Sequence, residues 1–353
     1  MIVFERGREN KLARIGGSRH PRFTSMTNPP RLSRRGLYLA LLVGLDAVLW
    51  LAAFTWTPPK SPPAPILSVS VWPGTESLIV ARETGLLPSE KINFVEISWS
   101  SASMRAFGNR AADVVGLSLS EAILLHELGN QFHVILVIDN SKGADAIISK
   151  EKVSNISDLR GKKIGVEVRS SGHYLLGRAL EEAGLTLKDI ELIPINLPES
   201  ETAIEELGVD AVVTAEPWLT RIVKKGGHVL YDSTRTPGEF IRVLVARESS
   251  IDESGSALAE LVSAHFMCLD RDRWPQEIFE GILRREGLSE TEFNDSVSRI
   301  TPFSRSDQKA LLSGAAPELM ENFRTVMRHM KSMGLVSDAL TGDLIINDSL
   351  ISP

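Results

Sequence analysis

The sequence predicts an α/β fold built as a hinged clamp of two lobes, and three features support this class. Apolar runs typical of buried strands alternate with helical periods, which indicates parallel strands joined by crossover helices. The alternation breaks at "NSKGAD" (140–145) and then begins again, so the chain holds two α/β units. After "STRTPGE" (233–239) come one more strand and a mainly helical tail. Two units joined by two crossings are typical of a clamp whose cleft binds a ligand.

The first unit is predicted to contain four strands and three helices, and the second unit four strands and three helices before the return crossing. The predicted strands are 66–72, 92–98, 112–118, 132–139, 162–168, 190–196, 209–214, 228–232 and 240–246. The predicted helices are 75–87, 102–109, 120–129, 171–184, 199–207 and one that opens at Pro217. This order predicts that lobe 1 comprises 66–142 and 238–353, and that lobe 2 comprises 143–237.

An apolar run of twenty residues, 37–56, precedes the folded body and directly follows the basic stretch "RLSRRG". As a helix it would reach about 30 Å, the thickness of a bilayer core. Two interpretations compete, a cleaved signal peptide and a retained anchor. The length favours the anchor, whereas Asp46 near mid-span is costly in lipid. The basic flank stays cytoplasmic, which predicts a periplasmic or extracytoplasmic body anchored to the inner membrane by the N-terminal helix.

The predicted N-terminal organisation therefore has three parts. They are a basic leader (1–35), the transmembrane anchor or signal peptide (36–56) and a proline-rich linker (57–65). A start at Met26 is an alternative, because it would leave a compact basic region before the span. The linker has five prolines in nine residues, which is typical of a semi-rigid spacer.

The formal net charge of -6 is unevenly distributed along the chain. The first 35 residues carry nine Lys and Arg against two acidic residues, which leaves the remainder at -13. An acidic body argues against a nucleic-acid partner. The single cysteine, Cys268, cannot form an intrachain disulfide.

The short motifs of several enzyme classes are missing from the sequence. There is no G-x-S-x-G, no G-x-x-x-x-G-K and no G-x-G-x-x-G. The stretch "HELGN" (126–130) begins like the zinc-binding H-E-x-x-H helix but has Asn130 in place of the second histidine. We therefore predict a binding protein rather than an enzyme, with no cofactor and no metal site.

The residues that stand out follow predicted strands, where ligands bind in open α/β sheets. Trp72 offers a flat apolar face, and the amides around Gly172 open a helix whose N-terminus suits an anion. Hydroxyl groups and one imidazole lie beside these positions, at Ser118, Ser120, Ser170, Ser171 and His173. Each has a structural alternative: the serines as N-caps, Trp72 as a core residue between the lobes, and His173 as a solvated or capping residue. Asp139 and Asp145 are interpreted as holding the crossing through turn amides, with Asp145 also a candidate contact.

The stretch "TAEPW" (214–218) places a charge and a large aromatic at the end of a predicted strand. Pro217 fits the first position of a helix and biases Glu216 toward an extended conformation, which aims the carboxylate at the cleft. Alternatively, Glu216 caps the following helix while Trp218 packs beneath it. A carboxylate in a closed cleft would repel nitrate by roughly 4 kcal/mol at about 4 Å. A zwitterion or an N–H-donating heterocycle fits better.

Four stretches resemble the solute-binding proteins of ABC importers of the nitrate/sulfonate/taurine type, which are also related to pyrimidine-precursor binders. These stretches are "WPGTESLIVARETGLL" (72–87), "NSKGADAIISK" (140–150), "ISDLRGKKIGVEVRSSGHYLLGRALEEAGL" (156–185) and "DAVVTAEPW" (210–218). The resemblance runs from about Ile66 to Ile346 and implies the two-lobe periplasmic-binding-protein type II fold. The implied partners are a small-molecule solute and ABC permease and ATPase subunits. The predicted membrane contact through residues 37–56 rests on the apolar run and departs from the pattern of the family, whose members are often lipid-anchored or soluble.

The resemblance also implies a set of ligand contacts in the cleft. They are Trp72, Glu76, Ser118, Ser120, Ser141, Ser170, Ser171, His173 and Glu216. The function it implies is an extracytoplasmic solute-binding component of an ABC importer that binds a small organic anion or zwitterion, sulfonate-like or taurine-like. Two alternatives stay open: a membrane-tethered ligand-sensing domain, and a binder or enzyme of the pyrimidine-precursor type. Ala215 stands where relatives commonly have a bulky aromatic, which leaves room beside Glu216.

Overall fold

A computed structural model describes residues 63–149 and 153–351, together with six helical positions between Arg35 and Trp50. The predicted leader (1–35), span (36–56) and linker (57–65) lie almost entirely outside the described residues. Within the described part of the chain, no helix is both long enough and apolar enough to cross a membrane. The folded body, from residue 62 to residue 353, forms one compact unit.

Twelve strands of the described body form two sheets. The first sheet has seven strands in the order β11-β4-β10-β3-β1-β2, with β12 beside β4. Its strands are β1 (Ile66–Ser70), β2 (Asn93–Ile97), β3 (Val114–Ser118), β4 (His133–Ser141), β10 (Ile241–Ala246), β11 (Ile300–Pro302) and β12 (Ile345–Ile346). The second sheet has the order β7-β6-β8-β5-β9. Its strands are β5 (Asp145–Ser149), β6 (Lys163–Val166), β7 (Glu191–Pro194), β8 (Ala211–Ala215) and β9 (His228–Asp232).

Eleven helices of the folded body surround the two sheets. They are α1 (Glu76–Glu83), α2 (Ser100–Gly108), α3 (Leu119–Glu127), α4 (Ser171–Glu182), α5 (Ser200–Glu206), α6 (Trp218–Lys224), α7 (Glu248–Met267), α8 (Gln276–Glu286), α9 (Glu290–Ser298), α10 (Gln308–Leu312) and α11 (Glu318–Ser332). Helices α4, α5 and α6 pack on the second sheet, and the others belong with the first. Below, lobe 1 means the first sheet with its helices, and lobe 2 means the second sheet with α4, α5 and α6.

Alternating side chains of the central strands build separate cores on the two faces of each sheet. On β10, Val243 and Val245 enter one hydrophobic cluster while Leu244 and Ala246 enter another. The same alternation divides β5, where Ile147 faces the larger cluster. Strands covered on both faces read as continuous apolar runs, which is why β4 and β10 are recognisable in the sequence.

The structure differs from the predicted parallel sheets at three strands, β5, β10 and β11, the last of which lies antiparallel to β4. β5 was not predicted, and it lies antiparallel to both β8 and β9. β10 lies antiparallel to β3 and β4. β5 and β10 each directly follow a crossing between the lobes, so each runs opposite to the neighbours it joins. The direction of a strand depends on the side from which the connection arrives, and no local residue pattern encodes that.

The predicted strand at 66–72 ends at Ser70, and the predicted helix at 75–87 begins at Glu76. A short 3-10 turn, Pro73–Thr75, connects them, and Trp72 precedes it in extended conformation. This turn brings Trp72 to the carboxyl end of β1, beside the space between the two sheets.

Candidate ligand-binding cleft

The cleft lies between the lobes and contains a cavity with an empty volume of about 470 Å³. It opens where the carboxyl ends of β1, β6 and β8 meet the starting ends of β5 and β10, because antiparallel strands begin at the edge where parallel ones end. Its lining residues are Ser70, Val71, Trp72, Ser98, Trp99, Ser100, Asp145, Glu167, Ser170, Ser171, Gly172, Leu197, Val213, Thr214, Ala215, Glu216 and Arg242. Both lobes therefore contribute to one site.

Trp72 and Arg242 form the centre of the lobe 1 wall. The Arg242 guanidinium carbon lies 3.6 Å from the centre of the Trp72 ring, a close cation–π contact. The indole Nε1 of Trp72 donates to Oδ2 of the buried Asp139 at 2.8 Å. Burial raises the pKa of Asp139 to about 6, although the Arg242 charge and the Trp72 hydrogen bond oppose the rise. The tryptophan plane is thus held by a carboxylate on one side and stacked by a guanidinium on the other.

Asp145 brings a carboxylate from the start of β5 to the same point. Its Oδ1 lies 3.6 Å from Nη2 of Arg242 and accepts from the Ser171 hydroxyl at 3.4 Å. Burial raises the pKa of Asp145 above its ordinary value, and the Arg242 charge opposes that rise. Its other oxygen, Oδ2, is buried and has no hydrogen-bond partner among the described residues. Oδ2 is thus a buried acceptor on a residue that lines the cavity.

Two donors in the cavity wall are also unmatched within the described part of the chain. The Nε1 of Trp99 and the Nε of Arg242 are buried and lack a hydrogen-bond partner there. Glu167, which directly follows β6, adds a second acceptor and is 5% exposed. Burial raises the pKa of Glu167 to about 7, with hydrogen bonds from Ser101 opposing and the Glu121 charge adding to the rise. Donors and acceptors for a polar ligand therefore line one cavity.

The N-terminus of α4, predicted as an anion site, has partners for its first amides. Ser170 is the N-cap, and its hydroxyl accepts from the amides of Gly172 and His173 at 3.1 and 3.3 Å. The amide of Ser171 donates to Oε1 of Glu121 at 3.2 Å. Ser170 and Ser171 both line the cavity; the N-cap is Ser170, and Ser171, for which capping was the structural alternative, is the first residue of the helix.

Glu216 lines the cavity, yet its carboxylate already has protein partners. Oε1 lies 2.6 Å from Nη1 of Arg299 and accepts from the Thr220 hydroxyl at 2.9 Å, while Oε2 accepts from the Thr220 amide at 3.2 Å. Burial raises the pKa of Glu216, and the Arg299 charge opposes the rise. This is the helix-capping geometry given above as the alternative, with Trp218 buried beneath it. The ion pair reduces the negative charge that Glu216 offers to a ligand.

Five of the nine predicted contact residues do not line this cavity: Glu76, Ser118, Ser120, Ser141 and His173. Glu76 is buried in lobe 1 and forms an ion pair with Arg285. The three serines are held by hydrogen bonds: Ser118 caps α3 and contacts the Ser120 hydroxyl at 3.0 Å, and Ser141 contacts the Ser233 hydroxyl at 2.8 Å.

His173 is half-buried in the first turn of α4, and its Nδ1 accepts from the Arg169 amide at 3.4 Å. Burial and the nearby Arg169 charge lower the pKa of His173 to about 4. The imidazole is therefore neutral at physiological pH.

Of the charged groups at the cleft, Asp145 and Glu216 were predicted from the sequence, whereas Arg242, Glu167 and Glu121 were not. Arg242 lies inside a buried strand, Glu167 lies near the end of the predicted strand 162–168, and Glu121 is the third residue of α3. Glu121 carried a usable signal, because Ser118 and Glu121 have the S-x-x-E spacing of a capping box. Arg242 carried a weaker one, a charge in an otherwise apolar strand.

A family model described as the NMT1-like family matches residues 64–272. The chain belongs to the NMT1-like family. A protein of Escherichia coli (strain K12) named as a candidate aliphatic sulfonates-binding protein is 26% identical over 199 residues, which cover 54% of this NMT1-like chain and 62% of that protein. The taurine-binding periplasmic protein of the same organism is 24% identical over 172 residues, 44% of this chain and 53% of that protein.

A candidate thiamine biosynthesis protein of Haemophilus influenzae is 28% identical over 182 residues, which cover 50% of this NMT1-like chain and 55% of that protein. The matches thus span between 53% and 62% of the length of these three relatives. Among solved structures, the alkanesulfonate-binding protein SsuA of Xanthomonas axonopodis pv. citri bound to MOPS superposes with a TM-score of 0.67 at 17% identity. That superposition covers 79% of this chain and 96% of the other. The resemblance to ABC solute-binding proteins and the periplasmic-binding-protein fold are both confirmed.

Proposed function

We propose that this chain is the extracytoplasmic solute-binding component of an ABC importer and that it binds a small sulfonate-like or taurine-like zwitterion or organic anion in the cleft. The observation that carries the proposal is the cavity between the lobes, whose wall holds two donors and one acceptor without a hydrogen-bond partner among the described residues. The names of the E. coli relatives support the solute class.

A zwitterion matches the charges of the wall better than a bare anion does. Arg242 is the only cationic residue among the described residues that line the cavity, which also holds the carboxylates of Asp145, 3.6 Å from the Arg242 guanidinium, and of Glu167. An anionic head fits the donors on Arg242 and Trp99, and an ammonium fits Asp145 Oδ2 and Glu167. Trp72 supplies the apolar face for the carbon chain between them.

The predicted lobe boundaries, 66–142 with 238–353 and 143–237, belong to this proposal. Movement of the two lobes about the two crossings would open the cleft, and a bound solute would favour the closed arrangement. The permease and ATPase are the proposed partners that receive the solute from the closed form.

The direct test is thermal stabilisation of residues 62–353, the compact body, by a panel of taurine, alkylsulfonates, nitrate, bicarbonate and pyrimidines. A ligand at 100 times its dissociation constant stabilises by about 2.7 kcal/mol. We expect taurine or an alkylsulfonate to do so, and Asp145→Asn to lose most of the gain. Asp338→Asn, at an exposed position, is the matched control and should respond as the unmodified protein does. If the whole panel leaves the melting temperature unchanged, this solute class is wrong.

A second candidate solute is a neutral amino-heterocycle of the pyrimidine-precursor type. The observation that favours it is the pair of acceptors, Asp145 and Glu167, beside the indoles of Trp72 and Trp99. The name of the H. influenzae relative agrees with this chemistry. Stabilisation by an aminopyrimidine but not by taurine would select this solute, and consumption of it during incubation would indicate an enzyme instead of a binder.

Retention of the chain at the membrane through residues 37–56 is also part of the proposal. The length and apolarity of this run support it, together with the basic residues before it. Expression of the full chain and of residues 62–353 behind a cleavable signal distinguishes the possibilities. We expect only the full chain to sediment with membranes after osmotic release of the periplasm. Sedimentation of neither form would contradict the anchor, and adjacent permease and ATPase genes would favour an importer over a sensor.

A further inference from the structure

Two carboxylates form contacts between the lobes, one from each lobe. Each accepts a hydrogen bond from a backbone amide at a helix N-terminus of the other lobe. Glu121, on α3 of lobe 1, accepts from the Ser171 amide at the start of α4 in lobe 2 at 3.2 Å. Glu167, at the end of β6 in lobe 2, accepts from the Ser101 amide at the start of α2 in lobe 1 at 3.2 Å. We call Glu121 and Glu167 the cross-lobe carboxylate pair.

The pair takes the positions that a bare anion would otherwise prefer. The first turn of a helix presents unpaired amides and a partial positive charge, which attract anions. In α4 the remaining amides, of Gly172 and His173, are already held by the Ser170 hydroxyl. Glu121 is further held by the Ser118 amide at 2.9 Å and by the Ser100 hydroxyl. Both carboxylates are buried, Glu121 completely.

We propose that Glu121 and Glu167 are specificity-determining residues that exclude bare inorganic anions from the cleft by occupying the two helix N-termini that face each other there. The inference rests on the proposed function for its site, and it adds a reason why a solute must bring its own positive charge or be neutral. The carboxylate at each helix N-terminus repels a doubly charged anion, whereas a zwitterion places its ammonium against that carboxylate.

The charges around the pair make the exclusion pH-dependent. Glu121 and Arg105 face Glu167 from lobe 1, and Asp145 interacts with Glu121 from lobe 2. Glu216, which is paired with Arg299, and Arg242 complete the charged groups of the cavity wall. Because the pKa of Glu167 lies at about 7, protonation below that pH removes one negative charge and weakens the bond to the Ser101 amide. We expect exclusion to relax as pH falls from 8 to 6.

The experiment measures sulfate and nitrate binding to the full chain by calorimetry at pH 8 and pH 6, with taurine as the zwitterion. The unmodified protein should bind sulfate up to about 10-fold more tightly at pH 6 than at pH 8, because the protonated fraction of a carboxyl with a pKa of about 7 rises by about that factor between these pH values. Glu167→Gln should bind sulfate tightly at both pH values, and Glu121→Gln should gain affinity at both. Glu318→Gln, on the exposed start of α11, is the matched control and should behave as the unmodified protein does.

Two outcomes overturn the inference: sulfate affinity that is the same at pH 8 and pH 6 in the unmodified protein, or no gain in Glu167→Gln. If Glu121→Gln fails to fold because its cap is lost, the pH comparison and Glu167→Gln still decide. The experiment also distinguishes failure of this inference from failure of the proposed solute. Taurine binding without a sulfate effect rejects the cross-lobe exclusion alone, and a sulfate gain in Glu167→Gln without taurine binding supports the exclusion and rejects the solute.

Discussion

At the scale of single residues, Arg242 organises the charges of the cleft. It stacks on Trp72 and lies against Asp145, and its charge opposes the burial that raises the pKa values of Asp139 and Asp145. A buried charge cluster of this kind is stable only while its members compensate one another, because desolvating an unpaired carboxylate costs several kcal/mol. The Arg242 side chain therefore both stacks on Trp72 and compensates the buried carboxylates.

Arg242→Met keeps much of the side-chain length and removes the charge. We expect a loss of about 3–5 kcal/mol in the free energy of unfolding at pH 8, because Asp139 and Asp145 are left buried without a cation. The loss should shrink at pH 5, where Asp139, with a pKa of about 6, is protonated in both proteins. Urea unfolding at the two pH values measures the difference. Arg328→Met, at an exposed position, should change stability by no more than about 0.5 kcal/mol. An equal loss at both pH values would contradict the electrostatic role.

At the scale of elements, the short turn between β1 and α1 determines where Trp72 lies. A β-carbon on Gly74 would come within 2.0 Å of Asp139 Oδ2 and 2.5 Å of Trp72 Nε1. Only glycine permits the turn to pass so close to the hydrogen bond that holds the indole. The position of the Trp72 ring in the cleft wall therefore depends on the backbone of this turn.

Gly74→Ala should therefore destabilise the protein by about 1–3 kcal/mol, the usual range for overpacking, and displace the Trp72 ring. Urea unfolding gives the first quantity, and tryptophan fluorescence of the native protein reports the second. Gly255→Ala on α7 is the control, because a β-carbon there meets nothing within 4 Å. Gly255 directly follows the kink of α7 at Ser254, so this substitution should be neutral or change stability by at most about 1 kcal/mol. Equal effects at the two positions would reject the packing argument.

Helices α6 and α9 meet across the lobes through Arg299, which follows α9 and pairs with Glu216 before α6. The same guanidinium donates to the Thr220 hydroxyl at 3.1 Å. Lys224 of α6 also forms an ion pair with Glu292 of α9. Of the two ion pairs, we expect the one with the buried Glu216 to contribute more to the free energy of unfolding, since exposed pairs contribute at most about 1 kcal/mol.

A double-mutant cycle tests this contact between the lobes. Arg299→Gln alone should be strongly destabilising because it leaves Glu216 buried and unpaired, whereas adding Glu216→Gln should recover part of the loss. We expect a coupling energy of roughly 1–3 kcal/mol from urea unfolding of the four proteins. Lys224→Gln with Glu292→Gln provides the exposed comparison, for which coupling near zero is expected. Strict additivity at the first pair would show that Arg299 does not compensate Glu216.

At the scale of the whole molecule, buried carboxyls and buried histidines act on stability in opposite directions as pH changes. Glu167 has a pKa of about 7 when folded and 4.5 as the ordinary value, so between these pH values the folded form holds the extra proton and stability falls as pH rises. His173 and His265 have pKa values lowered to about 4 from 6.5, so their contribution rises with pH in that window. Between pH 4.5 and pH 6.5 the two histidines outweigh Glu167, so these three groups together make stability rise with pH.

Glu167→Gln should remove the contribution of Glu167 to the pH dependence of stability. Relative to the unmodified protein, the variant should gain about 3 kcal/mol of stability between pH 4.5 and pH 8, at about 1.36 kcal/mol per pKa unit. The unfolding free energy measured across this range in denaturant is the relevant quantity. A difference between the two proteins that does not change with pH would show that Glu167 titrates normally.

The sequence by itself determined much of the architecture. Apolar runs such as β4 and β10 are buried on both faces, so their pattern alone identifies them as central strands. The order of the elements also indicates two units with a return crossing, and Trp72 after β1 is a local feature that a reader of the chain can find. A buried strand or a residue at the end of a strand depends on neighbours within a few residues, which is why it can be predicted from the sequence.

The charge arrangement of the cleft depends on contacts between residues that are far apart in the chain. Ser101 meets Glu167 across 66 residues of chain, Ser171 meets Glu121 across 50, and Arg299 meets Glu216 across 83. Because each pair forms only when two lobes come together, no spacing along the chain encodes it. The serines and glutamates were visible as residues, but burial and the identity of each partner determine whether a group binds a solute, caps a helix or neutralises a neighbour.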